Sequence, residues 1–187
     1  RVQRVNEFVI CYESSVRDRP AITVDIKDNL IVTWEDYRNG IYRDIYAAIF
    51  NSTTGARIGS EIVITTAVGD QDLPCLAVDS KGNCIVAWQC GDIRALVFNS
   101  STGAIVTPEF KIFDSNGTDS AFDTCVAVDS YDNFIFSWRY FNSTTKWRLV
   151  AEIIDYTGAE IGARFIVFHN DSIYAMAPSI DVDSNNK

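Results

Sequence analysis

The chain has 187 residues, 47% hydrophobic and 22% charged, which is ordinary globular composition and long enough to bury a core. A net charge of −9 with no basic run offers no phosphate-tracking stripe, so nucleic acid is excluded as an expected partner. The longest apolar runs are strand-sized, short of the roughly 20 residues of a helical bilayer span, so no membrane span is expected.

Position 1 is Arg, and no charged-then-apolar leader follows, which reads as a chain processed or cut from something longer. Residues 7–12 (EFVICY) are an isolated apolar stretch. The chain then repeats itself. Residues 20–34 (PAITVDIKDNLIVTW) return at 74–88 (PCLAVDSKGNCIVAW) and at 124–138 (TCVAVDSYDNFIFSW), and a fourth copy begins at Pro178 (PSIDVDS). A period near fifty residues belongs to blades, solenoids or arrays. Within each copy an apolar strand, a polar Asp-to-Asn turn and a second, continuously apolar strand read as a tight hairpin whose second strand is covered on both faces. A third strand follows at 44–50, 93–98 and 147–154. A turn ending in Gly55, Gly103 or Gly158 then leads to a fourth strand at 61–65, 109–113 and 164–168.

The expected fold is therefore all-β, with β-propeller-like blades of four antiparallel strands per repeat of about fifty residues and incomplete terminal repeats. One structural domain divides into a partial repeat at 1–19 (strand two only), repeats at 20–73, 74–123 and 124–177, and a partial repeat at 178–187 (strand one only). Such sheets bury their faces only by stacking, and Trp34, Trp88 and Trp138 are natural fillers between them. The pattern Pro-x-x-Ala-Val-Asp-Ser-x-Gly-Asn, apolar, Trp, with the turns TGARIG (54–59) and TGAEIG (157–162), resembles the tandem propeller-type repeats of large secreted and cell-surface proteins. That resemblance covers residues 20–187. It implies adhesion or scaffold modules and supplies no catalytic residues. The Asp-Ser-Lys-Gly-Asn turn also resembles the Asp-box of sialidases, but its Ser-x-Asp-x-Gly-x-x-Trp order is not met.

The chain ends look complementary. Phe8, Ile10 and Tyr12 align with strand two, and Ile180 and Val182 with strand one, so one copy or an adjoining repeat of a longer chain could complete the other head to tail, building a filament. Asn51, Asn99, Asn116, Asn142 and Asn170 each begin an Asn-x-Ser/Thr acceptor, which reads as a glycosylated, extracellular or cell-surface chain, or as turn composition alone.

Of five cysteines (Cys11, Cys75, Cys84, Cys90, Cys125), several read equally as buried strand residues or as disulfide partners. With a hairpin centred on Lys81-Gly82, Cys75 falls opposite Trp88 and diagonal to Cys90, making Cys75–Cys90 the first bridge to test. One histidine, His169, and no Cys-x-x-Cys pair argue against zinc. The recurring acidic turns could hold calcium, although Asp and Asn make turns unaided. No nucleophile elbow, phosphate loop or dinucleotide fingerprint occurs, so the expectation is a non-catalytic adhesive or structural module, not an enzyme. The alternative is a glycan-binding propeller using Tyr42, Tyr140 and Trp147, with Tyr37 beside them, as its contact surface. A fragment of a sialidase-like hydrolase is the weaker option.

Overall fold

The computed structural model describes residues 9–10, 17–117, 119–169 and 178–182. Over these residues the protein is all β, with twelve antiparallel strands in three four-stranded sheets and no helix. The first sheet runs β1 (Arg17–Val24), β2 (Asn29–Asp36), β3 (Asp44–Asn51) and β4 (Arg57–Thr65). The second runs β5 (Asp72–Val78), β6 (Asn83–Cys90), β7 (Asp92–Asn99) and β8 (Ile105–Phe113). The third runs β9 (Asp119–Val128), β10 (Phe134–Asn142), β11 (Lys146–Ile154) and β12 (Phe165–His169). In each, consecutive strands are neighbours.

The first hairpin of every sheet is closed by one device. Asp25 Oδ1 accepts the backbone N–H groups of Lys27 and Asn29 (2.8 Å each), and its Oδ2 accepts the Asn29 side-chain amide (3.0 Å). Asp79 with Lys81 and Asn83, and Asp129 with Tyr131 and Asn133, repeat it. The residue before each Asn is left-handed (Asp28 φ 61°, Gly82 φ 82°, Asp132 φ 65°), which is why only Gly or Asp stands there.

The sheets stack face to face through two apolar layers. Ile31, Ile45, Ala47 and Ile49 of the first sheet meet Cys84, Val86, Trp88 and Phe98 of the second. Ile85, Ala87, Ala95 and Phe113 of the second meet Phe134, Phe136, Trp138 and Val150 of the third. Turn glycines key into the preceding sheet: a Cβ on Gly103 would come within 3.0 Å of Ile62, and one on Gly158 within 2.9 Å of Phe110. At the same end, Ser100 Oγ donates to Asp25 (3.2 Å), and Ser80 N–H and Lys81 Nζ reach Asp132 (2.8 and 3.2 Å). The architecture is propeller-like, and among the described residues the three sheets do not close a ring.

One expectation fails here. Cys75 pairs with Ala87, not Trp88, because the Asp79–Asn83 turn centres the hairpin on Lys81 rather than between Lys81 and Gly82, and the ladder runs without a break from Val78–Cys84 to Cys75–Ala87. A slip of one residue turns a side chain to the other face. Cys75 therefore packs in the layer toward the third sheet and Cys90 in the layer toward the first, and both are free thiols. Most of the two chain ends expected to complete one another lies outside the described residues. Ile10 lies in a bend packed on the Val32, Trp34 and Tyr46 face of the first sheet, and 178–182 carry no regular structure, the Ile180 backbone resting against Cys125 of the third. These segments flank opposite ends of the stack, and among the described residues neither enters a ladder. Phe8 and Tyr12 lie outside the described residues.

Candidate functional site

The first strands β1, β5 and β9 are the ones that approach one another across the stack. Each carries the same irregularity near its start. Register shifts fall between Asp18 and Ala21, between Asp72 and Cys75, and where β9 passes from Phe122 to Cys125 opposite Arg139 and Ser137. Pro20 and Pro74 lack the N–H a ladder requires, so the chain bulges at that position. The preceding residue is left-handed in all three sheets without being glycine: Arg19 (φ 47°), Leu73 (φ 55°) and Asp123 (φ 53°). A non-Gly residue held there costs about 1–2 kcal/mol, and such strain collects at functional positions.

These strained residues converge on one cavity of about 250 Å3, lined by Arg19, Pro20, Leu73, Pro74, Asp123, Thr124 and Pro178, drawn from all three repeats and both partial ones. Thr124 is 7% exposed, and its hydroxyl has no hydrogen-bond partner among the described residues. Asp123 is ion-paired to Arg139, whose guanidinium lies over the rings of Phe122 and Trp147 (5.5 and 5.3 Å). Behind Leu73 sits Glu35, with a fully buried side chain. Its Oε1 accepts the Leu73 N–H at 2.7 Å, while Arg19 and Arg43 stand at 3.6 and 3.7 Å. Burial pushes the Glu35 carboxyl above its ordinary range; the Leu73 N–H works against this and the neighbouring Asp72 charge adds to it. Asp72, paired with Arg43 at 2.7 Å, is also raised, by burial first.

A second cavity, of about 390 Å3, opens at the same end of the first sheet between residues 39–44 and 66–68. Tyr42 is exposed on its rim. The other two expected glycan contacts are elsewhere: Tyr140 donates to Asp119 (2.8 Å) and meets Phe113 edge-on, while Trp147 is half-buried against Phe122 and Phe141. Tyr140 and Trp147 stand on opposite faces of the third sheet, so the three make no common platform. The axial residues Arg19, Glu35, Leu73, Asp72, Asp123 and Thr124 were not anticipated. The Pro that opens three of the four copies (Pro20, Pro74 and Pro178, with Thr124 in the other) was the available signal.

The acidic turns are occupied by their own chains: the Asp25, Asp79 and Asp129 carboxylates accept the bonds that shape them, and no group of three or more metal-ligating side chains occurs among the described residues. Burial raises all four described cysteine thiols, which disfavours thiolate chemistry. Asn51 and Asn99 cap the β3–β4 and β7–β8 turns through their Oδ1 atoms, at the end away from the cavities. Asn116 is exposed in the β8–β9 loop, the Asn142 amide donates to Asp119, and Asn170 lies outside the described residues. No described helix is long and apolar enough to cross a membrane.

No protein-family model matches the chain, and no curated protein resembles it in sequence. Solved structures resemble it in fold. An endo-arabinase from Bacteroides thetaiotaomicron superposes with a TM-score of 0.56 at 10% identity, over 81% of this chain and 62% of that one. A Hadza microbial sialidase gives 0.57 at 9%, over 80% and 37%. A thermostable family-43 glycoside hydrolase gives 0.55 at 11%, over 91% and 64%. The chain thus spans less than two thirds of the length of each. These likenesses define the class by fold: an all-β, β-propeller-like protein similar to propeller glycoside hydrolases. They overturn the non-catalytic adhesive module expected from the repeats, because the folds matched are those of enzymes acting on glycans, and they give no support to the expectation of a non-enzyme.

Proposed function

We propose that this chain is part of a carbohydrate-active propeller that holds a glycan at the axial cavity. The observation that carries this reading is the convergence of three strained, non-glycine bulge residues and the unpartnered Thr124 hydroxyl on one pocket. A buried hydroxyl without a partner costs about 1–3 kcal/mol, and a sugar hydroxyl reaching it would recover that. Asp123 accepts and Arg19 donates, so the pocket offers both halves of hydroxyl recognition beside the apolar Leu73 and prolines. The similar structures, an endo-arabinase and a sialidase, point to the same ligand class. The extracellular location and the sequons belong to this reading too. Glycans on Asn51 and Asn99 would stand at the opposite end and leave the cavity open.

A second reading, glycoside hydrolysis, is favoured by the likeness to an endo-arabinase and a sialidase; Glu35, the buried carboxyl behind Leu73, would have to gain access to the cavity to act in it. A glycan array followed by calorimetry tests both. Wild-type chain is expected to bind a glycan, with binding weakened about tenfold or more by Asp123→Asn or Thr124→Val. Sugar release abolished by Glu35→Gln would add hydrolysis. Binding that ignores both axial variants would refute the axial site.

A further inference from the structure

The off-axis cavity is not needed to explain the fold. Two loops, residues 37–43 and 66–71, form it, and both are clamped: Arg43 N–H donates to Asp70 (3.1 Å), its guanidinium pairs with Asp70 and Asp72 (3.2 and 2.7 Å), and Gln71 N–H donates to the Arg43 carbonyl (2.9 Å). The cavity is therefore preformed, which lowers the ordering cost of binding. Its walls divide by chemistry. Ile41, Tyr42 and Val68 are 79%, 43% and 92% exposed, three apolar side chains left in water on adjoining loops. Beside them stand Asn39, Asp44 and Thr66. The Asn39 amide donates to Asp44 (2.8 Å) and to the Tyr46 hydroxyl (2.6 Å), and its carbonyl oxygen takes no hydrogen bond from a described residue.

We infer that this cavity is a second subsite, for one neutral sugar ring of an oligosaccharide whose remainder occupies the axial pocket; the inference rests on the glycan reading above. A sugar presents an apolar C–H face and a rim of hydroxyls. Tyr42 suits the first, and the Asn39 carbonyl and Asp44 carboxylate accept from the second. The lining includes a carboxylate and no Lys or Arg, which disfavours a uronic or sialic acid at this position. Arg43 links the two sites, since it adjoins Tyr42 in sequence and stands 3.7 Å from Glu35 behind the axial wall.

The test is calorimetry of the full chain with neutral oligosaccharides of increasing length and with an acidic counterpart, for wild type, Tyr42→Ala, Val68→Asp and Asp123→Asn. Tyr42 and Val68 are exposed, so thermal melts should show both variants folded; two variants on opposite walls keep the test intact if one is not. The subsite predicts that Tyr42→Ala and Val68→Asp weaken long oligosaccharides about tenfold and leave the shortest unchanged, whereas Asp123→Asn weakens every length. If Asp123→Asn alone reduces binding, or the wall variants weaken all lengths equally, the subsite is wrong and the axial reading stands. Tighter binding of the acidic oligosaccharide, lost in Tyr42→Ala, would overturn the neutral assignment. If wild type binds none of them, both readings fall.

Discussion

The three repeated tryptophans look interchangeable in sequence but differ in what their indole N–H finds. Trp88 Nε1 donates to Gln71 at 2.8 Å and Trp34 Nε1 to Asp36 at 3.3 Å, whereas the buried Trp138 Nε1 has no partner among the described residues. Trp88→Phe strands the buried Gln71 acceptor, and Trp138→Phe removes a donor that was already unpaired. Denaturant unfolding should therefore find Trp88→Phe the more destabilising by about 1–3 kcal/mol; equal losses would contradict this. Glu35 makes a pH-dependent contribution of defined sign. Its folded carboxyl is raised by burial, so the fold holds that proton more tightly than the unfolded chain does. The resulting stabilisation is complete below the ordinary glutamate range and lost as pH rises through the raised value. Melting of Glu35→Gln against wild type from pH 4 to 8 should show the difference moving in the variant's favour as pH rises. Repeat alignment made the Trp positions readable, but Glu35 becomes Gln89 and Arg139 in the other copies, so nothing in the repeat marked it.

At the scale of strands and turns, sequence period and turn chemistry are sufficient to place the four strands of each copy, since each Asp-to-Asn turn carries its own hydrogen bonds. The bulges were less readable. A proline at the head of a strand signals lost pairing, but not that the residue before it turns left-handed; the face Cys75 takes is set by the turn, which centres on Lys81 and not between Lys81 and Gly82. The Thr-Gly turns looked like ordinary positive-φ positions, yet two also serve as contacts between sheets. Gly158→Ala and Gly103→Ala add a Cβ at 2.9 Å from Phe110 and 3.0 Å from Ile62, whereas Gly59→Ala, at φ 71°, meets nothing within 4 Å. All three incur backbone strain. The first two should lose a further 1–3 kcal/mol or so by overpacking, measured by chemical unfolding; equality with Gly59→Ala would show that the turns do not key the stack. Since the Asp25, Asp79 and Asp129 carboxylates are engaged, melting curves with calcium and with chelator should coincide.

For the molecule as a whole, a fifty-residue period foretold stacked antiparallel sheets because one such sheet cannot bury both faces alone. It could not foretell where the first strands meet, since convergence is a property of how sheets pack and not of any copy. The same limit explains the functional correction: a motif search over contiguous residues finds no chemistry when Arg19, Leu73, Asp123 and Pro178 come from four different repeats. Backbone-amide NMR of the chain titrated with a bound neutral oligosaccharide tests the central claim most directly. The account predicts shifts clustered on Arg19, Leu73, Asp123 and Thr124, with a second set around Tyr42 and Val68. Shifts confined to the opposite end, at the turns containing Asp25, Asp79 and Asp129, would contradict it.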